Sequence, residues 1–235
     1  MKNVLITGGG RGIGRACVEL FSKAGWRVFF TYVSDDKSAN ETSESFKAIP
    51  IKCDVSCVDQ LYKIDREIAK YEGSFDCIVN NAGIAQQKLF TDITEQEWDN
   101  VFNVNVKGMF FTTQHFVKPM IAKGKGSIIN ISSVWGLEGG SCEVHYASSK
   151  AAVIGFTRAL ANELGLSGIR VNCIAPGVID TDMNGHLTQE DMDDLKDQTP
   201  LNMIGTPEQV AKSVLFLADD DSFITGQVIK VSGGF

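Results

Sequence analysis

The sequence predicts an α/β fold with a single doubly wound, seven-stranded parallel sheet flanked by helices. Seven short apolar runs alternate with segments of helical periodicity along the 235 residues, of which 43% are hydrophobic. Alternating strands and helices favour parallel pairing with helices on both faces of the sheet, and a chain of this length can bury one large core. We find no repeat, linker or low-complexity segment, so we expect one domain over 1–235.

Composition and charge argue against several classes of function. The net charge is −7 and the 22 Lys and Arg residues are scattered, so no nucleic-acid partner is expected. No apolar stretch has the length of a membrane span and no charged leader precedes the first run, so we expect a cytoplasmic protein without a membrane partner. The six cysteines should be free thiols, and no metal is expected. Of the histidines, His115 and His186 are expected to be bystanders, and His145 is expected at the surface, with the pocket wall as its alternative.

The first strand leads directly into a glycine-rich turn. The run 3–7 is short, apolar and β-branched, and helical periodicity follows over 15–24. The turn between them contains Thr7, Gly8, Gly10, Arg11, Gly12, Ile13 and Gly14. Glycines here allow a close approach of the backbone to a pyrophosphate, which the N-terminus of the helix attracts. The order of strand, turn and helix therefore predicts a dinucleotide site, although the spacing is Gly-x-x-x-Gly-x-Gly.

The end of the second strand bears on the choice of nucleotide. Strand 26–33 contains Thr31 near its end but lacks the acid that often binds the ribose 2′-hydroxyl of NAD; the first acid is Asp35, before a polar helix over 36–48. Arg11 in the glycine turn offers a cation for the 2′-phosphate of NADP. The sequence therefore favours NADP. The alternative is NAD, with Asp35 on the ribose and Arg11 in solvent.

Two more strand ends are expected near the nucleotide. Strand 51–55 ends with Asp54, which either contacts adenine or caps the next helix, 56–71. Strand 75–79 runs into the small residues of 80–83, which either let the backbone lie close to a cofactor or form a purely structural turn.

A long helix is expected over 94–122. It opens with Thr94 and Glu97 at the spacing of a capping box, and its largely apolar sequence includes Asn105. Asn105 either bonds backbone or water as a core residue, or holds a water near the site, and the sequence leaves both roles open.

Ser133, Tyr146 and Lys150 are the candidate catalytic residues. Ser133 follows strand 127–131, where sites form in open α/β sheets, and Tyr146 and Lys150 lie four apart in a helix expected over 146–163. An ammonium near a phenol favours the phenolate, so we expect Lys150 to lower the pKa of Tyr146. Tyr146 could then exchange a proton with a carbonyl oxygen. The alternative is a chance pair on the protein surface.

The last part of the chain completes the alternation. Strand 168–174 ends in an Ala-Pro-Gly turn, and the acidic, helix-prone segment 179–198 follows it. A segment placed after a strand end predicts a substrate lid over about 180–198. A helix over 207–218 and a final strand over 227–231 complete the pattern.

These motifs together resemble the short-chain dehydrogenase/reductase family over essentially the whole chain. They are Thr7-Gly8-x3-Gly12-x-Gly14, Asn80-Asn81-Ala82-Gly83, Asn105, Ser133, Tyr146-x3-Lys150 and Pro176-Gly177. The resemblance implies a Rossmann-like sheet, a nicotinamide cofactor and hydride transfer at a carbonyl or alcohol.

The resemblance also implies roles for the matching positions. Tyr146 would be the general acid in reduction, and Ser133 would bond the substrate oxygen. Lys150 would hold the nicotinamide ribose and lower the pKa of Tyr146, and Asn105 would position the water that resupplies the proton. The other implied cofactor contacts are Thr31, Asp54, Val55, Asn81, Ala82, Gly83, Pro176, Gly177, Ile179 and Thr181.

Two sub-groups of the family compete for the substrate. The glycine turn and the stretches 169–172, 176–183 and 224–227 resemble 3-oxoacyl-[acyl-carrier-protein] reductases, which implies an acyl-carrier protein as partner. The chain departs from that sub-group at Gly124 and Ser167, where arginines contact the carrier protein. We name this sub-group first because the likeness covers the whole chain.

The second sub-group reduces a 5-aminopentanone group on elongation factor P. It shares the stretches 132–136 and 140–146, so Ser133, Trp135, Glu143 and Tyr146 would contact the substrate. Glu143 could pair with a substrate ammonium, which a fatty acyl chain lacks. The alternative is that Glu143 is a solvated loop residue.

Two further functions stay open. One is a dehydrogenase that oxidises a sugar or steroid alcohol. The other is a nucleotide-sensing regulator on the same fold, against which the intact set of Ser133, Tyr146 and Lys150 argues. The family also implies a homotetramer, or a dimer, packed through the helices around Val101 and Tyr146.

Overall fold

The computed structural model describes residues 1–71, 73–185, 187–218 and 223–235, which contain one seven-stranded sheet. The strands are β1 (Asn3–Ile6), β2 (Arg27–Tyr32), β3 (Ile49–Lys52), β4 (Cys77–Asn80), β5 (Gly126–Ile131), β6 (Ile169–Pro176) and β7 (Val228–Val231). They lie in the order β3-β2-β1-β4-β5-β6-β7, and each neighbouring pair is parallel. The predicted fold class is confirmed. Because the strand order reverses between β1 and β4, a crevice forms at the carboxyl ends of these strands.

Helices cover both faces of the sheet. They are α1 (Gly12–Lys23), α2 (Asp36–Phe46), α3 (Tyr62–Ala69), α4 (Glu95–Phe102), α5 (Met109–Lys123), α6 (Trp135–Glu138), α7 (Val144–Leu164), α8 (Gln189–Asp197) and α9 (Pro207–Leu217). One apolar core lies between the sheet and the helices α1 and α9 and includes Phe21 and Val214. The other lies under α3, α5 and α7, where Phe29, Phe75 and Phe116 meet edge to face.

Two elements on the nucleotide side are shorter than predicted. Strand β3 ends at Lys52, so Asp54 lies in the following turn rather than in a strand. The carboxylate of Asp54 accepts bonds from the backbone N–H and the hydroxyl of Ser56, at 2.9 and 2.7 Å, which closes a local turn. A 3₁₀ turn (Val58–Gln60) follows, and α3 therefore begins only at Tyr62.

The helix predicted over 94–122 is wrong as a single element. A π-helical segment (Asn103–Gly108) separates α4 from α5. Such segments shift the hydrogen bonds from i→i+4 to i→i+5 and often occur at functional sites. Asn105 lies inside this one.

The acidic segment 179–198 is helical only in part. A 3₁₀ turn (Asp182–Asn184) comes first, and α8 begins after Thr188, which forms a capping box with Asp191. His186 lies outside the described residues.

All six cysteines are free thiols, four of them buried, with Cys57 exposed and Cys142 half-buried. Within the described ranges, no group of three His, Cys, Asp or Glu side chains could hold a metal ion. Over the same ranges, every helix is too short or too polar to cross a bilayer.

Candidate active site

The hydroxyls of Ser133 and Tyr146 meet in a buried corner at the carboxyl end of β5. Ser133 comes two residues after the strand, Tyr146 lies in the first turn of α7, and the Ser133 side chain is near enough to the Tyr146 hydroxyl to act on its pKa. The two residues are only 8% and 7% exposed. A carbonyl oxygen that reaches this corner could bond to both hydroxyls.

Lys150 lies one turn after Tyr146 on α7 and is also buried. Its ammonium donates to the carbonyl oxygen of Ile131 over 2.9 Å and lies 5.7 Å from the centre of the Tyr146 ring. Burial lowers the pKa of Lys150 from its ordinary 10.5 to about 8. The group therefore keeps most of its charge at neutral pH.

The pKa of Tyr146 moves opposite to the sequence prediction. Burial raises it to about 12, the hydrogen bond with Ser133 acts in the lowering direction, and the negative charge of Glu143 raises it further. The predicted lowering by Lys150 is wrong for this arrangement, because the ammonium bonds to Ile131 while the phenol is enclosed by protein. Tyr146 consequently holds its proton at neutral pH.

The side chain of Asn105 is bound within the protein. Its amide nitrogen donates to the carbonyl oxygen of Ile84 at 2.9 Å and to the hydroxyl of Ser149 at 3.0 Å, and its oxygen accepts from the N–H of Ile84 at 2.9 Å. A Cβ on Gly83 would lie 3.3 Å from that oxygen and 3.2 Å from the Lys150 ammonium. Asn105 thus fastens the chain after β4 beside Lys150, and a side chain at position 83 would crowd both groups.

The glycine turn is fixed by backbone geometry. Gly8 and Gly12 have positive φ angles of 69° and 52°, which only glycine adopts readily. A Cβ on Gly14 would collide with the carbonyl oxygen of Gly8, whereas one on Gly10 would meet nothing closer than 3.9 Å. Because α1 begins at Gly12, its unpaired N–H groups face the turn and favour an anion there.

Side chains from β1, β2 and the end of β4 hold this turn. The Thr7 hydroxyl accepts from the N–H groups of Asn81 and Ala82, both at 3.0 Å. The Asn81 amide donates to the carbonyl oxygens of Thr7 and Gly8, at 2.9 and 3.0 Å. The Thr31 hydroxyl accepts from the N–H of Gly8 at 3.1 Å. These residues lie at the point where the strand order reverses.

The region expected to bind the 2′-phosphate carries an exposed cation. Arg11 lies 3.8 Å from the carboxylate of Asp182, and the side chains of both are about 70% exposed. Asp35, the alternative ribose ligand, caps α2 instead, since its carboxylate accepts from the N–H and the hydroxyl of Ser38. The glycine cradle, the start of α1 and Arg11 together fit a nicotinamide dinucleotide.

The chain after β6 forms the other side of the crevice. A Cβ on Gly12 would lie 3.3 Å from the Thr181 side chain, so this segment touches the glycine turn. Gly177 lies so close to Ser232 that a Cβ would come within 2.8 Å of it. The remaining predicted cofactor residues are Ile13 in the first turn of α1, Val55 buried after Asp54, Pro176 at the end of β6 and Ile179 buried behind Thr181.

Comparison with known proteins agrees with this geometry. A family model described as Enoyl-(Acyl carrier protein) reductase matches residues 8–235. The 3-oxoacyl-[acyl-carrier-protein] reductases of Aquifex aeolicus and Thermotoga maritima are each 41% identical to this chain, over 99% of the chain and 96% and 97% of the relatives. A crystal structure of 3-oxoacyl-[acyl-carrier protein] reductase from Brucella melitensis matches with a TM-score of 0.92 at 36% identity, covering 100% of this chain and 91% of that one.

The chain belongs to the short-chain dehydrogenase/reductase family. The predicted enzyme class is thereby confirmed: this chain is an oxidoreductase that acts on a keto or hydroxyl group. The family depends on a nicotinamide cofactor, in agreement with the fit of the glycine cradle.

The residues predicted to contact the substrate of this short-chain dehydrogenase/reductase lie around α6 and the start of α7. Trp135 begins α6, donates its backbone N–H to the Ser133 hydroxyl at 3.2 Å and packs its ring edge-on against Phe235, with 5.5 Å between ring centres. Glu143 directly precedes α7, and its charge acts on the Tyr146 hydroxyl. Both predicted substrate residues thus adjoin the catalytic pair.

The family motifs do not include a second polar cluster beside this site. His145, predicted at the surface, is fully buried, and its ring nitrogen Nε2 lies 3.3 Å from the side-chain oxygen of Gln86. Gln86 and Lys88 both bond to Glu97. In the sequence, the capping-box spacing pointed to Glu97 as the start of a helix, and the pocket wall was the alternative position for His145; no sequence signal pointed to Gln86 or Lys88.

Proposed function

We propose that this protein is an NADPH-dependent reductase that converts a ketone to a secondary alcohol. The observation that carries the proposal is the buried pair of Ser133 and Tyr146, with Tyr146 protonated, at the carboxyl end of β5. Reduction places negative charge on the carbonyl oxygen, and two hydroxyl donors held in a buried corner stabilise that charge more than water does. The glycine cradle on the neighbouring strand supports a dinucleotide at the same crevice.

The residues divide the chemistry as follows. The nicotinamide, when bound, supplies a hydride to the carbonyl carbon. Tyr146 donates its proton to the carbonyl oxygen as the C=O π electrons move onto that oxygen, and Ser133 donates a hydrogen bond to the same atom. An alkoxide is a stronger base than a phenolate, so the proton transfer runs downhill even from a phenol with a pKa of about 12. Lys150 would hold the ribose of the bound dinucleotide with its ammonium, and Asn105 would help to position the water that restores the Tyr146 proton.

Arg11 supports the choice of NADPH. It is exposed beside the glycine turn, and Asp35 is engaged as the cap of α2. A guanidinium suits a phosphate, whereas an unoccupied acid would have suited a free ribose hydroxyl.

The first substrate candidate is a 3-oxoacyl thioester on an acyl-carrier protein. Relatives of that name align with nearly the whole chain. The candidate requires a surface that accepts an acidic carrier, and the chain offers little for one. Gly124 is the glycine that ends α5, and Lys123 is paired with Asp76 at 3.1 Å.

The second candidate is the 5-aminopentanone group on elongation factor P, and one observation favours it. The charge of Glu143 acts on the hydroxyl of Tyr146, so a substrate ammonium near the reacting ketone would have an acid to meet. The segment 180–198 holds seven acids and one Lys, a net charge of −6 with His neutral, and suits a basic partner better than an acidic one.

The test is a paired assay of NADPH oxidation with acetoacetyl thioesters and with aminopentanone-modified elongation factor P. Glu143→Gln is the test variant, and Glu163→Gln near the far end of α7 is its matched control. Turnover of the thioester that survives Glu143→Gln, with none of the modified factor, assigns the first candidate. Turnover of the modified factor that only Glu143→Gln reduces assigns the second, and failure of both substrates contradicts both.

Three other features belong to the same proposal. The segment 180–198 closes over the substrate as a lid, supported by the half-exposed Met183 within it and the exposed Leu201 just after it. Copies of the chain pair through α4, α5 and α7 as a tetramer or dimer, supported by the exposed Trp98 and Phe110. The enzyme works in the cytoplasm, supported by its free thiols.

A further inference from the structure

His145 is an unusual residue to find buried beside a proton donor. It is 0% exposed, and its Nε2 faces the Gln86 side-chain oxygen at 3.3 Å. The Gln86 nitrogen donates to Glu97 at 2.7 Å, and the Lys88 ammonium donates to both oxygens of Glu97, at 2.8 and 2.9 Å. We call these four residues, Gln86, Lys88, Glu97 and His145, the Glu97 clamp.

The charge on Glu97 fixes the direction of every bond in the clamp. The bonds from Lys88, from Thr94 and from Gln86 lower the pKa of Glu97 to about 2, so its carboxylate is ionised and only accepts. Gln86 must therefore donate with its nitrogen and present its oxygen to His145. His145 must then donate from Nε2, and since burial lowers its pKa, the ring is neutral and its Nδ1 carries no proton. Within the described part of the chain, that buried Nδ1 has no hydrogen-bond partner.

The clamp joins three segments that are distant in sequence. Glu97 belongs to the capping box of α4, Gln86 and Lys88 lie in the chain after β4, and His145 lies in the first turn of α7. The backbone N–H of Lys88 also donates to the carbonyl oxygen of Cys142 at 2.7 Å. That bond ties the chain after β4 to the loop that ends in Glu143.

The loop adopts a conformation that needs such support. Cys142 has a φ of 60°, in the left-handed region that residues with a Cβ rarely occupy. A strained residue persists where its surroundings hold it, and here the bond from the Lys88 N–H holds the carbonyl oxygen of Cys142, three residues before the buried His145.

We propose that Gln86, Lys88, Glu97 and His145 are positioning residues that fix the wall formed by Cys142 and Glu143 beside Tyr146, and so set which ketones fit. None of the four needs to touch the reacting atoms. The inference deepens the proposed function, since it rests on Tyr146 as the proton donor. Loss of the clamp should let the wall move while Tyr146, Ser133 and the glycine turn stay in place.

The kinetic test compares Glu97→Gln with Glu95→Gln, an exposed neighbour in the same first turn of α4. Glu97→Gln removes the charge that orders the clamp and should raise KM for the ketone by about tenfold, with kcat nearly unchanged and the NADPH affinity kept. Glu95→Gln should change none of these. A fall in kcat without a change in KM, or equal effects of the two variants, would overturn the proposal.

His145 provides a second variant pair. His145→Gln keeps a donor for the Gln86 oxygen and should retain the wild-type KM, whereas His145→Leu keeps bulk without a donor and should raise it. Similar KM values for the two variants would show that the ring only fills space.

Two measurements test the Glu97 clamp without depending on the proposed function. Nitrogen NMR of wild-type protein should find His145 as the Nε2–H tautomer, and an Nδ1–H tautomer would contradict the bond directions. Amide hydrogen exchange over 139–144 should rise in Glu97→Gln but not in Glu95→Gln. Faster exchange without any ketone turnover would uphold the clamp and reject the function, and unchanged exchange would reject the clamp.

Discussion

The two sides of the active-site crevice are built from different kinds of contact. On the cofactor side, Thr7 and Asn81 bond to backbone groups, and the turn depends on glycines at positions where a Cβ would collide. On the substrate side, bonds between side chains add to the backbone contacts: Gln86 and Lys88 bond to Glu97 through their side chains, while the Lys88 N–H bonds to the carbonyl oxygen of Cys142. Contacts to backbone persist when neighbouring side chains change, whereas side-chain pairs can be exchanged one at a time. One fold can therefore keep the same glycine turn while the opposite wall of the crevice changes.

The largest effect is expected at the residue that both sides share. Tyr146→Phe removes the proton donor but keeps the ring, so turnover should fall by about a hundredfold or more. NADPH binding, measured by fluorescence titration, should stay near normal, because the dinucleotide rests mainly on the glycine cradle. A variant that keeps most of its activity would remove Tyr146 from the mechanism.

The substitution Gly14→Ala should weaken cofactor binding without changing the substrate side of the crevice. Its Cβ would collide with the carbonyl oxygen of Gly8, so the turn must open, and NADPH affinity should fall by about tenfold or more as N–H bonds to the pyrophosphate are lost. Gly155→Ala is the matched control, since a Cβ there meets nothing within 4 Å. If Gly14→Ala binds NADPH as the control does, the cradle is not where the pyrophosphate rests.

Removing Arg11 should change the choice of nucleotide. Arg11→Ala should weaken NADPH binding by about tenfold, the value of one charge-assisted contact to phosphate, and leave NADH binding almost unchanged. The two titrations are each other's control. Equal losses for both nucleotides would withdraw the assignment of the 2′-phosphate to Arg11.

A change of pH should have a smaller effect on the rate of reduction. The two buried groups, Lys150 and Tyr146, lose their protons at different pH values. Above a pH of about 8 Lys150 loses its charge, while Tyr146 stays protonated up to about 12. The kcat/KM for reduction should therefore decline as the pH rises through about 8. If kcat/KM instead stays constant up to a pH of about 10, the ordinary pKa of a tyrosine, the charge on Lys150 is not needed for reduction.

Lys150 should also make the free energy of unfolding depend on pH. The pKa of Lys150 is about 8 in the folded protein and 10.5 when unfolded, so the unfolded chain binds more protons between those values. The free energy of unfolding should thus rise with pH across this window, and Lys150→Met should abolish that rise. An identical slope in the variant would assign the rise to other groups.

Local sequence patterns predict the first strand, the glycine turn and the helix that follows it. The order of strand, glycine turn and helix needs only neighbouring residues, and the spacing of Tyr146 and Lys150 places both on one helix face. The fold class followed from the alternation of apolar runs with helical segments. Each of these inferences spans a short stretch of chain.

Features that depend on distant contacts could not be predicted. The burial of His145 follows from its partner Gln86, 59 residues away. The sign of the Tyr146 pKa shift follows from how much protein encloses the ring, while the spacing to Lys150 suggested the opposite direction. The predicted end of the third strand was wrong because the carboxylate of Asp54 bonds to Ser56 and turns the chain out of the strand.

The π-helical segment at 103–108 makes chain length, as well as residue identity, a constraint on this region. An i→i+5 turn holds one residue more than an i→i+4 turn. Deleting a single residue here would turn the segment back into α-helix and join α4 to α5 in one continuous helix, so the widened turn that carries Asn105 would be lost. The bonds from Asn105 to Ile84 and Ser149 depend on that turn, and a descendant of this protein that changed the residue count would need another anchor for the chain after β4.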